Sequence, residues 1–395
     1  MTGRPKLLPL AGVFAHDTCP VQRHRDMTPM DRIYAMRDRM LARPGFQRWV
    51  ARFPLTRGFA RRKEKALFGI IAGFVYTQIL TASVRLGLFE VLREGPMTLD
   101  VIAARIGLTA EATSRLIKAA IALELVSVRS GGRYGLGDLG SAVAATPAFA
   151  SVIEHNAILY GDLSDPVRLL QGDYAHTRLS SFWSYAHSDA PQTLTPETVA
   201  GYTAFMAESQ VLIADDVLDA YPMTGHRHLL DVGGGDGTFV AAAGLRAPHL
   251  QLTLFDLPAV AARGQAKLAR AGMSARIRVV GGSFLDDPLP RGADVASLVR
   301  VLLDHPDATV LRILAGVRDA LEPGGTLLVA ETLAGTPAAD TYFGFYLMAM
   351  GRGSSRSFDE LAALLKRAGF SDVRRVQTFR ATLTSLIYAR KAADG

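Results

Sequence analysis

The sequence predicts an open α/β sheet built around a nucleotide-type ligand site, preceded by a smaller, all-helical domain that ends in a wing. Three observations carry this expectation. The run Asp231-Val232-Gly233-Gly234-Gly235-Asp236-Gly237 follows a short apolar stretch and leads into a helix start. Twenty-five residues past Asp231, a second apolar stretch ends in an acid, in Leu254-Phe255-Asp256-Leu257-Pro258. From about residue 223 onward, strand-like and helix-like segments alternate, as they do in a parallel sheet with helical crossovers.

Glycines between a strand and a helix let the backbone approach a ligand closely. A dinucleotide site would carry the spacing G-x-G-x-x-G, which this run does not follow. Asp231 beside the turn would repel a pyrophosphate and would suit a cation. S-adenosylmethionine carries a sulfonium and an ammonium and no phosphate, so the loop favours a methyl donor over NAD. Asp256 lies about where such sheets place the carboxylate that holds a ribose. A ligand-free glycine turn is the competing reading, and the Asp256 partner argues against it.

The elements follow from pattern. Strands are expected at 228–232, 251–255, 277–280, 294–299 and 325–330, and helices at 237–246, 258–271, 307–321 and 357–369. Glu322-Pro323-Gly324-Gly325 reads as a helix stop leading into the fifth strand. Residues 373–376 and 382–389 can form an antiparallel pair.

At 395 residues, with 49 % hydrophobic and 21 % charged side chains, the chain suits several domains and can bury a core easily. The single Cys19 gives no disulfide framework and no cysteine metal cluster, and no metal site is expected. Arg4, Pro5, Lys6 and Pro9 break any signal-peptide pattern, which points to a cytoplasmic protein. The net charge of +7 is uneven: residues 1–65 hold 15 Lys/Arg against 5 Asp/Glu, making this arm +10 and the remainder −3. Met30, Ile33, Tyr34, Met36, Met40, Leu41, Phe46, Trp49, Val50 and Phe53 recur among those charges at roughly helical spacing. A basic amphipathic arm of this kind reads as a membrane-surface segment, with a solvated arm as the plainer alternative.

Four segments result: the arm (1–65), a helical domain with a wing (66–150), a helical linker or cap (151–222) and the α/β domain (223–395). Residues 66–84 are uncharged and just long enough to span a bilayer. Their Tyr76, Thr77, Gln78, Thr81 and Ser83 suit a buried protein interface better, so a homodimer is expected through 66–150. In that domain Thr98 or Asp100 caps one helix, Gly107 turns the chain, and Thr109 caps a second. Leu116, Ile117, Ala120 and Leu123 mark its apolar stripe. Val126-Ser127-Val128, Gly131-Gly132 and Tyr134 form a two-stranded wing. The winged helix raises DNA binding as a rival function, but helix 110–121 offers only Arg115 and Lys118 as cations, against Glu111. No nucleic acid partner is expected. The segment 151–222 is rich in Tyr160, Tyr174, Phe182, Trp183, Tyr185, Tyr202, Phe205 and Met206, which either fill a core or line a large apolar pocket.

These residues together resemble a known family. The runs at 231–237 and 255–258, Arg300-Val301-Leu302-Leu303-Asp304-His305-Pro306-Asp307 and Glu322-Pro323-Gly324-Gly325 are similar to the small-molecule O-methyltransferases, over about residues 66–390. The resemblance implies a Rossmann-like class I methyltransferase domain behind a winged-helix dimerisation domain. Ala66-Leu67-Phe68, Gly73-Phe74-Val75-Tyr76, the run 342–351 and the basic arm resemble the carotenoid branch, which methylates a tertiary hydroxyl of acyclic carotenoids such as demethylspheroidene and hydroxyneurosporene. Bacteriochlorophyllide C-20 methyltransferases, or enzymes acting on aromatic polyketides and phenols, are the alternatives.

The resemblance implies that Asp231, Gly233, Gly235 and Asp256 hold S-adenosylmethionine, with Ser283, Phe284 and Arg300 beside them. Ser283 stands where the family usually has an acid. Leu303 occupies the place of the general-base histidine of phenol methyltransferases, so His305 becomes the candidate base, oriented by Asp304 or Glu331. Trp183, Tyr202, Phe205, Met206, Phe343, Tyr346 and Met350 are the expected substrate contacts. A carotenoid substrate would place the enzyme peripherally on the inner or photosynthetic membrane.

Overall fold

A computed structural model describes residues 28–174, 177–183, 191–380 and 384–392. Cys19, Tyr185, Thr382 and the first 27 residues of the arm lie outside the described residues. The chain divides into two compact units, residues 1–77 and 78–395.

The first unit contains α1 (Pro29–Leu41), α2 (Pro44–Arg52) and most of α3 (Arg57–Arg85). Thr28 and Asp31 form a reciprocal cap on α1: the Asp31 amide donates to Thr28 Oγ1 at 3.2 Å and the Thr28 amide to Asp31 Oδ2 at 3.0 Å. Neither α1 nor α2 buries a residue, and Met30, Ile33, Tyr34 and Met36 stay exposed. Trp49 stacks on Phe53 with ring centroids 5.1 Å apart. The helix α3 runs unbroken through position 65 and is long and apolar enough to cross a membrane. Leu67, Phe68, Ile70, Ile71 and Phe74 are exposed along it.

The second unit opens with α4 (Leu88–Arg93), β1 (Met97–Thr98), α5 (Leu99–Ile106), α6 (Ala110–Ala122), β2 (Val126–Arg129), β3 (Arg133–Leu136) and α7 (Asp138–Ala145). The expected two-stranded wing is present as β2 and β3, and a short third strand extends it. Three antiparallel strands pair in the order β1-β3-β2, with Met97 opposite Tyr134. Two residues of strand are too short to show a period, so the third strand has no pattern of its own. Thr109 caps α6 by accepting from the Ala112 amide at 3.2 Å, whereas Thr98 sits at the start of α5 with no side-chain cap bond. Leu88, Phe89, Ile102, Ile117 and Leu125 form the core here.

Four helices follow: α8 (Pro147–Asp162), α9 (Pro166–Leu170), α10 (Arg178–Phe182) and α11 (Pro196–Ala220). Three open on proline, whose fixed φ and missing N–H suit a first turn. Their inward faces join residues of the C-terminal domain in one apolar cluster around Leu179, Trp183, Val199, Tyr202, Tyr346 and Met350.

The α/β part comprises β4 (His228–Val232), α12 (Thr238–Arg246), β5 (Gln251–Asp256), α13 (Pro258–Arg270), β6 (Ile277–Gly281), β7 (Ala293–Val299), α14 (Asp307–Ala320), β8 (Leu321–Glu331), α15 (Gly344–Met350), α16 (Phe358–Arg367), β9 (Phe370–Val376) and β10 (Ser385–Lys391). The sheet order is β6-β5-β4-β7-β8-β10-β9. The first five strands are parallel, and β10 lies antiparallel between β8 and β9. Register sets Val232 beside Phe255 and Asp231 beside Ser297, so the carboxyl ends of β4, β5 and β7 meet at the point where strand order reverses. One apolar layer packs on each face of the sheet.

Leu254 is fully buried in the second of these layers. A Cβ added at Gly234 or Gly264 would fall 2.5 Å or 2.7 Å from its methyl groups. Helix and loop therefore close directly onto this side chain. Leu254→Ala should lower stability by about 2–5 kcal/mol, as a poorly collapsible core cavity does. Urea denaturation measures this, and a loss below about 1 kcal/mol would contradict the packing described.

Candidate active site

The glycine loop leaves β4 with Gly233 at φ +67° and Gly235 at φ +64°, conformations that favour glycine. The glycines differ in what surrounds them. A Cβ at Gly234 would sit 2.3 Å from Asp231 Oδ2, whereas one at Gly235 would meet nothing within 4 Å. Gly234 is thus small for packing, and Gly235 opens onto space. Asp256, at the tip of β5, joins the two strand ends: the Gly235 amide donates to its Oδ2 and the Leu257 amide to its Oδ1, each at 2.7 Å. Burial pushes its carboxyl up to about 6 in spite of those two donors.

Asp231 does not line the cavity and lies beneath the loop, fully buried. Its Oδ1 accepts from Ser297 Oγ at 2.6 Å, and its Oδ2 has no hydrogen-bond partner among the described residues. Burial raises it to about 7, with repulsion from Asp256 adding to the shift. Two acids at one glycine turn, with Asp256 the one that lines the cavity, fit a ligand that brings positive charge.

Above the loop lies a cavity of about 660 Å³. Gly233, Gly235, Asp256, Ser283, Phe284 and Arg300 of the expected donor set line it, as do Asp304 and His305. Trp183, Tyr202 and Met206 form part of its wall from α10 and α11. The other expected substrate contacts do not line it. Phe205 stacks on His155 at 3.9 Å, and Phe343 stands edge-on to Tyr342 at 5.1 Å. Tyr346 and Met350 are buried behind the wall. Helical phase explains the split, since neighbouring residues on α11 and α15 point to different faces.

Arg300 holds a left-handed backbone, φ +58°, which is strained for a residue other than glycine. Its guanidinium turns toward α11, with Nε donating to Gln210 Oε1 at 3.0 Å, Nη1 to Ser209 Oγ at 2.9 Å and Nη2 to the Met206 carbonyl at 3.1 Å. It therefore clamps the tip of β7 to the helix that forms the cavity wall. Ser283 donates from Oγ to Asp286 Oδ2 at 3.0 Å, and Asp286 lines the cavity. The acid absent at position 283 thus has a neighbour three residues on.

His305 is 7 % exposed and stands edge-on to Phe284, with ring centroids 5.5 Å apart. Burial, helped by the Arg352 and Arg356 charges, lowers it to about 4, so the imidazole is neutral near pH 7. Its Nδ1 has no hydrogen-bond partner among the described residues. Arg356 braces the loop by donating to the His305 carbonyl at 2.6 Å and the Leu302 carbonyl at 2.9 Å. Leu303 packs into the apolar cluster.

Glu331 does not orient His305, which corrects the expectation. It sits at the end of β8, one residue past the Val299–Ala330 pairing. From there its Oε1 reaches the Val301 amide at 3.0 Å and the Leu302 amide at 2.7 Å. It holds the backbone of the turn, and Phe284 is the ring packed on the imidazole.

Several wall residues escape a motif reading: Thr203, Val260, Arg312 and Arg352. The signal for Thr203 was present, because Val199, Tyr202, Thr203, Met206 and Gln210 recur at the spacing of one helical face. Thr203 is 3 % exposed. Among the described residues, no group of three or more His, Cys, Asp or Glu side chains gathers as a metal site.

Burial raises Glu331 from an ordinary 4.5 to about 8, so near neutrality the folded chain holds a proton that the unfolded chain has already released. Its contribution to stability is complete below about pH 4.5 and declines as pH climbs through about 8. Glu331→Gln keeps an oxygen for both amides and removes the titration. The urea midpoint of the variant should fall less than that of the wild type between about pH 6 and pH 9. Equal slopes would show that Glu331 is ionised in the fold.

Comparison with known proteins agrees with this geometry. Residues 68–146 match the O-methyltransferase dimerisation domain and residues 160–371 the O-methyltransferase domain. The chain is 42 % identical over 353 residues to a demethylspheroidene O-methyltransferase of Cereibacter sphaeroides, covering 88 % of this chain and 93 % of that one. A demethylspheroidene O-methyltransferase of Rhodobacter capsulatus is 39 % identical, over 86 % of this chain and 85 % of its own. Human N-acetylserotonin methyltransferase, solved in complex with S-adenosylmethionine, has a TM-score of 0.69 at 25 % identity, over 84 % of this chain and 98 % of its own. With a dimerisation domain ahead of a sheet whose glycine loop, paired acids and aromatic-walled cavity share one end, the chain belongs to the O-methyltransferase family.

Proposed function

We propose that the protein transfers a methyl group from S-adenosylmethionine to the tertiary hydroxyl of an acyclic carotenoid of the demethylspheroidene or hydroxyneurosporene type. One observation carries the assignment: a single cavity joins an acid-paired glycine loop to an apolar aromatic wall, with a neutral imidazole on its lining. Both relatives described above are demethylspheroidene O-methyltransferases. A bacteriochlorophyll precursor, an aromatic polyketide and a DNA-binding role have no comparable support.

When bound, the donor supplies an electrophilic methyl group. Asp256 and the backbone at Gly233 and Gly235 would hold it, and the unsatisfied Asp231 oxygen beneath the loop would add negative potential toward its cationic groups. Ser283, Phe284 and Asp286 stand on the same wall. The chain's main task is positioning: a cavity with an aromatic wall would hold the hydroxyl oxygen in line, which accounts for several kcal/mol of a displacement barrier.

A tertiary alcohol is far less acidic than a phenol, so its proton leaves late. Leu303 offers no base, while His305, neutral because it is buried, can accept that proton as the new bond forms. Glu331 and Arg356 fix the backbone that carries it.

The test is transfer of labelled methyl to a hydroxylated acyclic carotenoid, a phenol and a chlorin presented side by side. Label should appear on the carotenoid, and His305→Gln should slow that transfer by about 10²-fold or more if the imidazole takes the proton. Label confined to phenol or chlorin would overturn the substrate, and an unimpaired variant would leave positioning as the whole mechanism.

The dimerisation domain makes the working form a homodimer, which gives the exposed apolar side chains of α3 a partner surface. The basic arm would hold that dimer on an anionic membrane, where a carotenoid resides. Exposed Trp49, Phe53 and Met36 suit the interface, and each nearby cation contributes about 1 kcal/mol. Removing residues 1–60 should reduce sedimentation with phosphatidylglycerol vesicles and spare turnover of detergent-solubilised carotenoid. Undiminished sedimentation would exclude the arm as the anchor.

A further inference from the structure

His155 on α8 plays no part in the chemistry above, yet it is 7 % exposed and lies at the centre of the aromatic cluster behind the cavity wall. Its ring stacks on Phe205 at 3.9 Å and lies 4.7 Å from Phe182. Its Nε2 is 2.7 Å from the Tyr346 hydroxyl, and the same hydroxyl accepts from Trp183 Nε1 at 2.7 Å. An indole N–H can only donate, so the Tyr346 oxygen accepts from Trp183, and the same hydroxyl is hydrogen-bonded to His155 Nε2, which holds the phenol between the two rings. Burial keeps the imidazole neutral by lowering it to about 4, so the arrangement persists across the physiological range.

Trp183 and Tyr202 line the cavity, with their rings 5.7 Å apart. Trp183 directly follows the short helix α10 and makes its C-cap, and its indole packs against Phe182, Tyr202 and Phe205. A purely apolar backing would serve packing as well, because replacing a satisfied polar pair by apolar groups is often close to neutral. A relay of donors specifies one orientation of the indole, which apolar packing does less well. A second bond, from the Tyr342 hydroxyl to Asn156 Oδ1 at 2.8 Å, ties the adjacent residue of α8 to the same C-terminal segment.

The geometry points to His155 and Tyr346 as positioning residues that hold the Trp183 indole as a rigid wall against the apolar body of the substrate. This rests on the cavity being the substrate site, and the experiment separates the two claims. Trp49 and Trp183 are the two tryptophans of the chain, so Trp49→Phe leaves Trp183 as the sole reporter. In that background, Tyr346→Phe and His155→Phe should each shift Trp183 emission and lower its anisotropy in the absence of substrate. With detergent-solubilised carotenoid they should raise KM about fivefold, in keeping with one lost hydrogen bond, and change kcat much less. His155→Gln, whose amide can hydrogen-bond the Tyr346 hydroxyl in either direction, should restore both readouts most of the way.

Unchanged Trp183 emission in Tyr346→Phe and His155→Phe would overturn the positioning role. Shifted emission with unchanged KM would overturn the link to substrate. If His155→Gln fails as badly as His155→Phe, the imidazole acts by shape alone and the relay is refuted. Absence of carotenoid turnover in the Trp49→Phe background would defeat the functional reading, while the fluorescence comparison would still decide the relay.

Discussion

The two backbone N–H groups that converge on Asp256 set the geometry on which the site is built. One belongs to the glycine loop after β4 and the other to the start of the turn into α13, so a single carboxylate ties two strand ends together. The loop can close that far only because Gly234 passes directly over Asp231 and Leu254. Any side chain there would lift the turn away from Asp256. The cavity floor, the lie of the first crossover helix and the separation of two acids follow from that close approach.

Charge is managed in the same economical way around the cavity. Buried carboxyls at Asp231 and Glu331 are held up in pKa by desolvation and serve the backbone or a neighbouring hydroxyl. Arg300 and Arg356 spend most of their donors within the protein, on carbonyls, a hydroxyl, an amide oxygen and the Asp307 carboxylate. Both stiffen segments that carry cavity residues: Arg300 the wall helix α11, and Arg356 the loop of His305. A site that must hold an apolar chain and a cation together gains from charges whose positions are fixed in advance.

The sheet was legible because its strands are buried runs broken by glycine, proline and acid. The strand expected at 228–232 matches β4 residue for residue, and the expected helix 258–271 exceeds α13 by one residue. The third strand of the wing was not legible, since two residues carry no period. In the site, the loop glycines, Asp256 and His305 could be placed at the cavity because motif and strand end coincide. Direction within an element is a finer matter. Tyr346 and Met350 share a segment rich in aromatics and methionine, but helical phase turns both into the core. Glu331 reaches backwards to two amides because of sheet register, a long-range property that no local run encodes. His155 belongs to no motif, and only the fold brings it to Tyr346 and Trp183.

The placement of β10 bears on how the molecule is made. It pairs with β8 on one side and β9 on the other, and its Leu386, Ile387 and Ala389 are fully buried. The strands β4 to β8 can assemble earlier in synthesis, but until β10 arrives they present the edge of β8, with the apolar run Leu327–Ala330, as an unpaired template. Long-range pairings of this kind form slowly. Nascent chains halted before residue 385 would therefore be sticky intermediates dependent on chaperones, and the interval before that strand emerges is when this protein is most exposed to aggregation.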